Sequence, residues 1–387
     1  MASIDKRPNG TWRARWREYP GGPQRTRAFA RKVDAQEFMV SIEHQLRSGT
    51  YVDPAAGKVT LREWWVGYYE QRADLQASTE DRNDVYWRHQ IEPALGDVPL
   101  SSIDRAMLRN WVGSMSRAGV APRSVRKAVQ LVRQALEVAV EDNVIATNPA
   151  DRLRGLPKVP KSRARFCTVE EVSRLVDATD EHHQVLVATA AWSGLRLGEL
   201  TALRRRNVDL MRRRISVVES ASEVRGKIIH SEHGKTDAAH RAVPLPRHIV
   251  ELLTEHTAGM NPDDLVFTAP EGGWIRRSLL HTRVWQPATI AAGLGERIHA
   301  PTESRPHRTI YRGLRIHDLR HTAVSLWIAA GADYTQLKRW AGHESIATLI
   351  DTYGHLMPDR EAPVLKALDK LAAPGRKARN VVELEVG

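Results

Sequence analysis

Along the first sixty residues the spacing of apolar positions changes from two to that of a helix. In TWRARWRE, Trp12, Ala14 and Trp16 alternate with Arg13, Arg15 and Arg17. That alternation predicts a strand with one apolar and one basic face. YPGGPQ reads as a turn and RTRAFA as a second strand. DAQEFMVSIEHQL then places Phe38, Ile42 and Leu46 on one side of a helix that can cover the sheet. From residue 59 to 155 the pattern is helical throughout. Leu61, Trp65 and Tyr69 open one helix, and Ser78 with Glu80 and Asp81 reads as the start of another. PRSVRKAVQLVRQALEVAVEDNV carries Val125, Val129, Val132, Leu136 and Val140 on one face, with Arg123, Arg126, Lys127 and Arg133 off it. Residues 156–165, LPKVPKSRAR, contain Pro157 and Pro160 and read as an extended linker. In CTVEEVSRL, Thr168 and Glu171 have the spacing of a capping box, which opens a third region, 166–387. There, helices surround a strand-rich insert made of RISVVES, KIIHSE and HRAVPL. DREAPVLKALDKLAA reads as a late helix with Val364, Leu365, Leu368 and Leu371 as its apolar positions, and VVELEV, 381–386, as a short strand.

The pattern describes a multidomain, mainly α fold with small β-sheets. A sheet-plus-helix unit covers 1–58, a helical unit 59–155 and an α+β unit 166–387. Charge narrows the partner. The 387 residues hold 58 Lys plus Arg against 46 Asp plus Glu, a net charge of +12, which favours a polyanion or an anionic membrane. No apolar run approaches the roughly 18 residues of a spanning helix, and MASIDKRPNG lacks the apolar core of a signal peptide. The membrane therefore falls away and nucleic acid leads. Residues 1–58 alone carry 11 Lys/Arg and 6 Asp/Glu, so Arg13, Arg15 and Arg17 form either a groove-reading face or an ordinary solvated one. The same pair of readings applies to Arg123, Arg126 and Lys127. In the linker, Lys158, Lys161 and Arg163 suit a strap laid across a polyanion. Cys167 is the one cysteine. It excludes an intramolecular disulfide and a thiolate zinc cluster, and fits a reducing cytoplasm.

Four stretches carry candidate chemistry. RIHDLRH, 315–321, puts His317 and His321 at i and i+4 with Arg320 between. The string is close to the zinc motif H-E-x-x-H, but a guanidinium cannot ligate a cation and suits a phosphate. WSGLRLGELTAL, 192–203, places Arg196 before an apolar stripe of Leu197, Leu200 and Leu203, with Glu199 at i+3; a bare helical ion pair is the alternative. HGKTDAAHRAVPL, 233–245, sets Lys235 in a turn between strands, where it is a solvated lysine or a general acid, with Lys227 as a rival. WAGHESIATLIDTYGHL, 340–356, has His343 beside Gly342, and Tyr353 later in a polar setting.

Taken in chain order, the five boxes within these stretches resemble the tyrosine recombinases: S-G-L-R-L-G-E-L, G-K-T before R-A-V-P-L, H-D-L-R-H, G-H and D-T-Y-G-H. Ala341 departs from a frequent leucine, and TESRPHRTIYRG, 302–313, is a basic stretch before the second arginine box. The regions before residue 166 resemble the integrase branch, which implies an arm-type DNA-binding domain at 1–58 and a helical, SAM-like core-binding domain at 59–155. The resemblance implies a site-specific DNA recombinase in which Tyr353 forms a 3′-phosphotyrosyl link. Arg196 and Arg320 would then hold the nonbridging oxygens. His317 would take a proton or bond the phosphate, His343 would add a donor, and Lys235 would protonate the leaving oxygen. Glu199 would orient Arg196 or His317, and His321 would be a supporting residue. No metal and no other cofactor is implied. The implied partners are double-stranded DNA at core and arm sites, a homotetramer on DNA, and host bending and directionality factors. Three rivals stand beside this reading: a type IB topoisomerase, a DNA-binding regulator without activity, and a zinc hydrolase built on His317 and His321.

Overall fold

In the computed structural model, residues 3–17, 21–47, 51–53, 55–73, 75–160, 165–232, 241–301, 307–342, 346–357 and 361–372 are described. The alternating segment Trp12–Arg17 is the central strand of a three-stranded antiparallel sheet, between Ser3–Lys6 and Gln24–Phe29. Its register sets Arg15 opposite Ser3 on one side and Thr26 on the other. Ala14 and Trp16 are buried, and the helix Lys32–Arg47 covers them with Met39 and Ile42. Phe38 meets Trp16 edge-on at 5.2 Å between ring centroids. The first strand, SIDK, has too few apolar residues to announce itself in the sequence.

The helical region has its own core, separate from that of the sheet. Helices Leu61–Glu70, Ala77–Tyr86, Arg105–Arg117 and Pro122–Glu141 enclose Leu61, Trp65, Ile91, Leu108 and Leu136. Trp65 stacks on Trp87 at 4.4 Å. One helix starts earlier than its cap signal suggests. Ser78 lies inside the first turn of Ala77–Tyr86, and Gln76 is at the cap without a side-chain bond. The backbone begins the helix instead: the Gln76 carbonyl accepts from the N–H groups of Thr79 and Glu80 at 2.8 and 3.0 Å. In the helix Pro122–Glu141 the expected apolar stripe is buried, except that Val140 is half-exposed.

The chain divides into two compact units, Met1–Lys161 and Ser162–Gly387. The division falls inside the proline-bearing segment, whose described residues 155–160 form no helix or strand. On the first unit's side, Arg126 Nε donates to the Pro157 carbonyl at 2.8 Å and ties that segment to the long helix.

The second unit opens with the capping box read from the sequence. Thr168 Oγ1 accepts from the Glu171 N–H at 3.2 Å, and Glu171 Oε2 accepts from the Thr168 N–H at 3.0 Å. Helix Glu181–Ser193 is apolar almost all round and therefore lies in the core, packed against helix Ile316–Ala329. Strands Val208–Asp209, Arg214–Val217 and Arg241–Pro244 form one antiparallel sheet; Glu219–Val224 and Lys227–Glu232 form a hairpin. A second hairpin, Gly295–His299 with Thr309–Gly313, occupies part of the stretch read only as basic. Its apolar pair Ile298 and Ile310 sits among polar and charged neighbours, Arg297 and His299 on one strand and Thr309 and Tyr311 on the other, so the strand period is thin there. The late helix Glu361–Ala372 forms, with Val364, Leu365, Leu368 and Leu371 all exposed. The expected strand at 381–386 lies outside the described residues. Among the described residues no helix is long and apolar enough to cross a membrane.

Candidate active site

Two helix ends build the cradle. Helices Glu181–Ser193 and Tyr334–Ala341 both stop at a left-handed glycine, Gly194 at φ +61° and Gly342 at φ +60°. A side chain at Gly194 would collide with Trp327, and one at Gly342 would press on Arg241. The last carbonyls of a helix lack partners within it and carry the negative end of its dipole. Here arginines take them. Arg320 Nη1 donates to the Gly194 carbonyl at 2.7 Å, and its Nη2 donates to that of Ala341. Arg196 Nη2 donates to the Gly342 carbonyl at 3.2 Å. The two candidate arginines thus meet at the same pair of helix ends. Arg320 is 3% exposed. Burial, followed by the Arg196 charge, weakens its hold on its proton, yet a guanidinium stays charged at neutral pH. The Arg196 side chain keeps 47% of its surface open.

Glu199 organises the rear of this cradle. Its carboxylate accepts from Arg196 Nη1 at 2.8 Å and from the Arg196 backbone N–H at 2.8 Å. Arg241 grips both of its oxygens at 3.0 and 2.6 Å. Burial pushes the carboxyl up, but the Arg241 hydrogen bonds and the charges of Arg241 and Arg196 outweigh it and hold it at about 2. Arg241 Nε donates in turn to the Trp340 carbonyl at 2.9 Å. Sequence reasoning passed over Arg241. A signal was present: Arg241, Val243 and Leu245 are two apart, and all three are buried. An arginine in the inward phase of a strand needs a buried partner.

Helix Ile316–Ala329 presents the histidines. Arg315 and Asp318 cap it reciprocally, with the Arg315 N–H on Asp318 Oδ2 at 2.8 Å. His317 is exposed; burial of part of its ring and then the Arg320 charge lower its pKa. His321 stands one turn on, edge to face with His317 at 5.1 Å between centroids. Its Nδ1 lies 2.6 Å from the Tyr353 hydroxyl. The i, i+4 spacing put the two histidines on one face, as expected, but did not show that the second would reach Tyr353. Tyr353 closes the helix Ile346–Tyr353 and is 2% exposed. Burial pushes its phenol up to about 12, against the pull of Arg320. Phe166, the first residue after the linker, lies against this pair, 6.0 Å from the Tyr353 ring and 6.4 Å from that of His321. Lys235 and His343 lie outside the described residues. The rival Lys227 is exposed at the start of its strand.

A family model described as "Phage integrase family" matches residues 165–360, half of the sequence. The chain belongs to the phage integrase family of tyrosine recombinases. Its integrase relatives include the "Integrase" of Mycobacterium phage D29, 29% identical over 82% of this chain and 82% of that protein. The "Integrase" of Mycobacterium phage L5 is 28% identical over 89% and 90% of the two chains. "Tyrosine recombinase XerC" of Xanthomonas campestris pv. campestris is 27% identical over 75% and 80%. Among solved structures, the fold is similar to that of a Tn1549 transposon integrase in complex with transposon right-end DNA. That match has a TM-score of 0.64 at 17% identity, over 81% of this chain and 100% of that one. It is also similar to a lambda integrase dimer bound to a core site, with a TM-score of 0.56 at 17% identity over 92% and 95%.

The basic candidates of this integrase-family chain differ in their surroundings. Arg13 and Arg15 are half-buried and share Asp5, at 2.8 and 2.7 Å. Arg17 is exposed and donates to the Gly22 carbonyl. Arg123 and Lys158 are exposed, Lys127 is half-buried, and Arg126 is held by the Pro157 carbonyl. Lys161 and Arg163 lie outside the described residues.

Proposed function

We propose that this chain is a site-specific DNA recombinase that cuts and rejoins two duplexes through Tyr353. The observation that carries the reading is the meeting of Arg196 and Arg320 at two helix ends, with the Tyr353 hydroxyl against the same helix that bears Arg320. Phosphoryl transfer needs a nucleophile, stabilisation of charge on the nonbridging oxygens, and a proton for the leaving group. Guanidinium forks suit the oxygens. Arg196 and Arg320 each spend two donors on protein groups, which leaves further N–H groups of their five for a phosphate. His317 adds a donor from the exposed side, and His343 another. Tyr353 attacks phosphorus and becomes a 3′-phosphotyrosyl ester, while Lys235 protonates the departing 5′ oxygen. The ester conserves the bond for rejoining, so the scheme calls for no ATP.

Residues 1–58 act as the arm-type DNA-binding domain and 59–155 as the core-binding domain, on a tetramer that holds two sites. The test is a nicked suicide duplex whose core has been selected for binding from a randomised pool. The wild-type chain forms a denaturant-resistant covalent complex, and Tyr353→Phe forms none while binding DNA as before. An adduct in the Phe variant would remove Tyr353 from the scheme.

A further inference from the structure

Tyr353 is a poor nucleophile as it stands. Its hydroxyl is buried, its phenol is pushed up to about 12, and it must lose a proton to attack. The group placed to receive that proton is not the histidine that opens the HDLRH box. His317 turns its ring toward His321, whereas His321 Nδ1 sits 2.6 Å from the Tyr353 oxygen. The Tyr353 and His321 rings lie 5.7 Å apart at 50°, with Phe166 against both. This apolar wall shields the contact, and a short hydrogen bond in such surroundings is the geometry that general-base transfer requires.

We propose that His321 is the general base that takes the Tyr353 proton during cleavage and returns it during rejoining. The proposal rests on Tyr353 being the nucleophile, as read above. In the forward step the Oη–H proton moves to Nδ1 as Oη bonds to phosphorus and the bond from phosphorus to O5′ breaks; O5′ receives its proton from its own donor. In the reverse step the 5′ hydroxyl returns its proton to that donor as O5′ bonds to phosphorus, the phosphorus–Oη bond breaks, and Nδ1 gives the proton back to Oη. The tautomer required carries hydrogen on Nε2 and leaves Nδ1 free.

The surroundings also say when this base is strong. Around His321 stand His317, Arg320, Asp318 and Arg315 on and before its own helix, Tyr353 on the facing helix, and His355 beyond Phe166. Burial first, then His317, Arg315 and Arg320, pull the His321 pKa down to about 4, against Asp318. A phosphate seated between Arg320 and His317 offsets those positive charges, and a nearby anion raises the pKa of an imidazole. Basicity therefore rises when DNA arrives, and the nucleophile stays idle without it.

The experiment uses the full chain and the suicide duplex described above, with the single-turnover rate of covalent attachment as readout. His321→Ala should slow attachment about 100-fold or more, the usual contribution of a general base, with DNA affinity unchanged. His321→Gln, which keeps a hydrogen-bond acceptor but cannot take up the proton, should be comparably slow, and it serves if the alanine variant does not fold. The decisive arm replaces Tyr353 by 2,3,5-trifluorotyrosine, whose more acidic phenol needs less help. It should restore most of the rate in the His321 variants and little in Arg320→Ala. Full activity in His321→Gln, no rescue by the fluorinated phenol, or rescue of His317→Ala in its place would overturn the assignment. Failure of the reading beneath it looks different: the wild-type chain would form no adduct, or Tyr353→Phe would form one.

Discussion

Asp5 and Glu199 are each gripped by two arginines, and they lead different lives. Asp5 on the amino-terminal sheet accepts from Arg13 and Arg15, and its side chain is 33% exposed. Glu199 accepts from Arg196 and Arg241, and its side chain is 2% exposed. At Asp5 water competes for every partner, so the cluster is a solvated face with modest coupling. At Glu199 there is no such competitor. The same three groups there become a fixed frame, with one arginine turned inward to the Trp340 carbonyl and the other outward to solvent. The difference teaches that burial, and not composition, turns an ion cluster into a positioning device. A buried cluster is also hostage to its completeness, because losing one member strands the others without water.

The largest effect should come from breaking the buried cluster. Glu199→Ala leaves the desolvated Arg241 charge unpaired, and removing one partner of a buried pair costs about 3–5 kcal/mol. Denaturation of the carboxyl-terminal unit should show that loss, while Asp5→Asn should leave the melting of the amino-terminal unit almost where it was. Comparable losses at the two carboxylates would erase the distinction.

Next comes Arg196→Ala, which spares the Glu199–Arg241 pair but removes the outward fork. It should cost about 2.7–4 kcal/mol at the transition state and much less in DNA affinity or stability. Single-turnover cleavage beside a binding titration separates the two. Equal losses would make Arg196 a plain phosphate anchor.

Acid sharpens the contrast further. The Glu199 pKa is held below its ordinary value of 4.5, at about 2. The stability from this shift is therefore full above about 4.5 and lost as pH falls through about 2. Its size is on the order of 3 kcal/mol. Glu199→Gln should flatten the acid limb of the carboxyl-terminal unit's stability profile, and an unchanged limb would assign the acid sensitivity to other carboxylates. The smallest effect is at the exposed cluster. Asp5→Asn releases Arg13 and Arg15 from an internal carboxylate, so low-salt DNA binding should tighten a few-fold with a steeper salt slope. No change in slope would leave those arginines outside the DNA contact.

Parts of the fold and of the site were legible in the sequence, but the contrast between the two clusters was not. Trp12, Ala14 and Trp16 alternate on the sheet, and the Thr168–Glu171 box opens the second unit, because both signals are local. The boxes around Arg196, Arg320 and Tyr353 were legible through resemblance. What stayed hidden depends on distant partners. Nothing near Arg241 in the sequence names Glu199 or Trp340, and nothing near His321 points to Tyr353. Ser78 shows the opposite failure: a good local cap signal was displaced by a backbone that had already turned at Gln76.

The long reach of the arginine contacts has a consequence for how the protein comes into being. Arg196 and Gly342 are 146 residues apart, Arg320 and Gly194 are 126 apart, and Arg241 and Trp340 are 99 apart. Closing longer loops adds little free energy, but it delays the contacts that depend on them. On the ribosome, residues 1–161 can fold while Gly342 is still unmade. Under the function proposed above, a nascent chain would acquire DNA affinity before it acquires the cradle for cutting, so the order of synthesis would separate binding from cleavage.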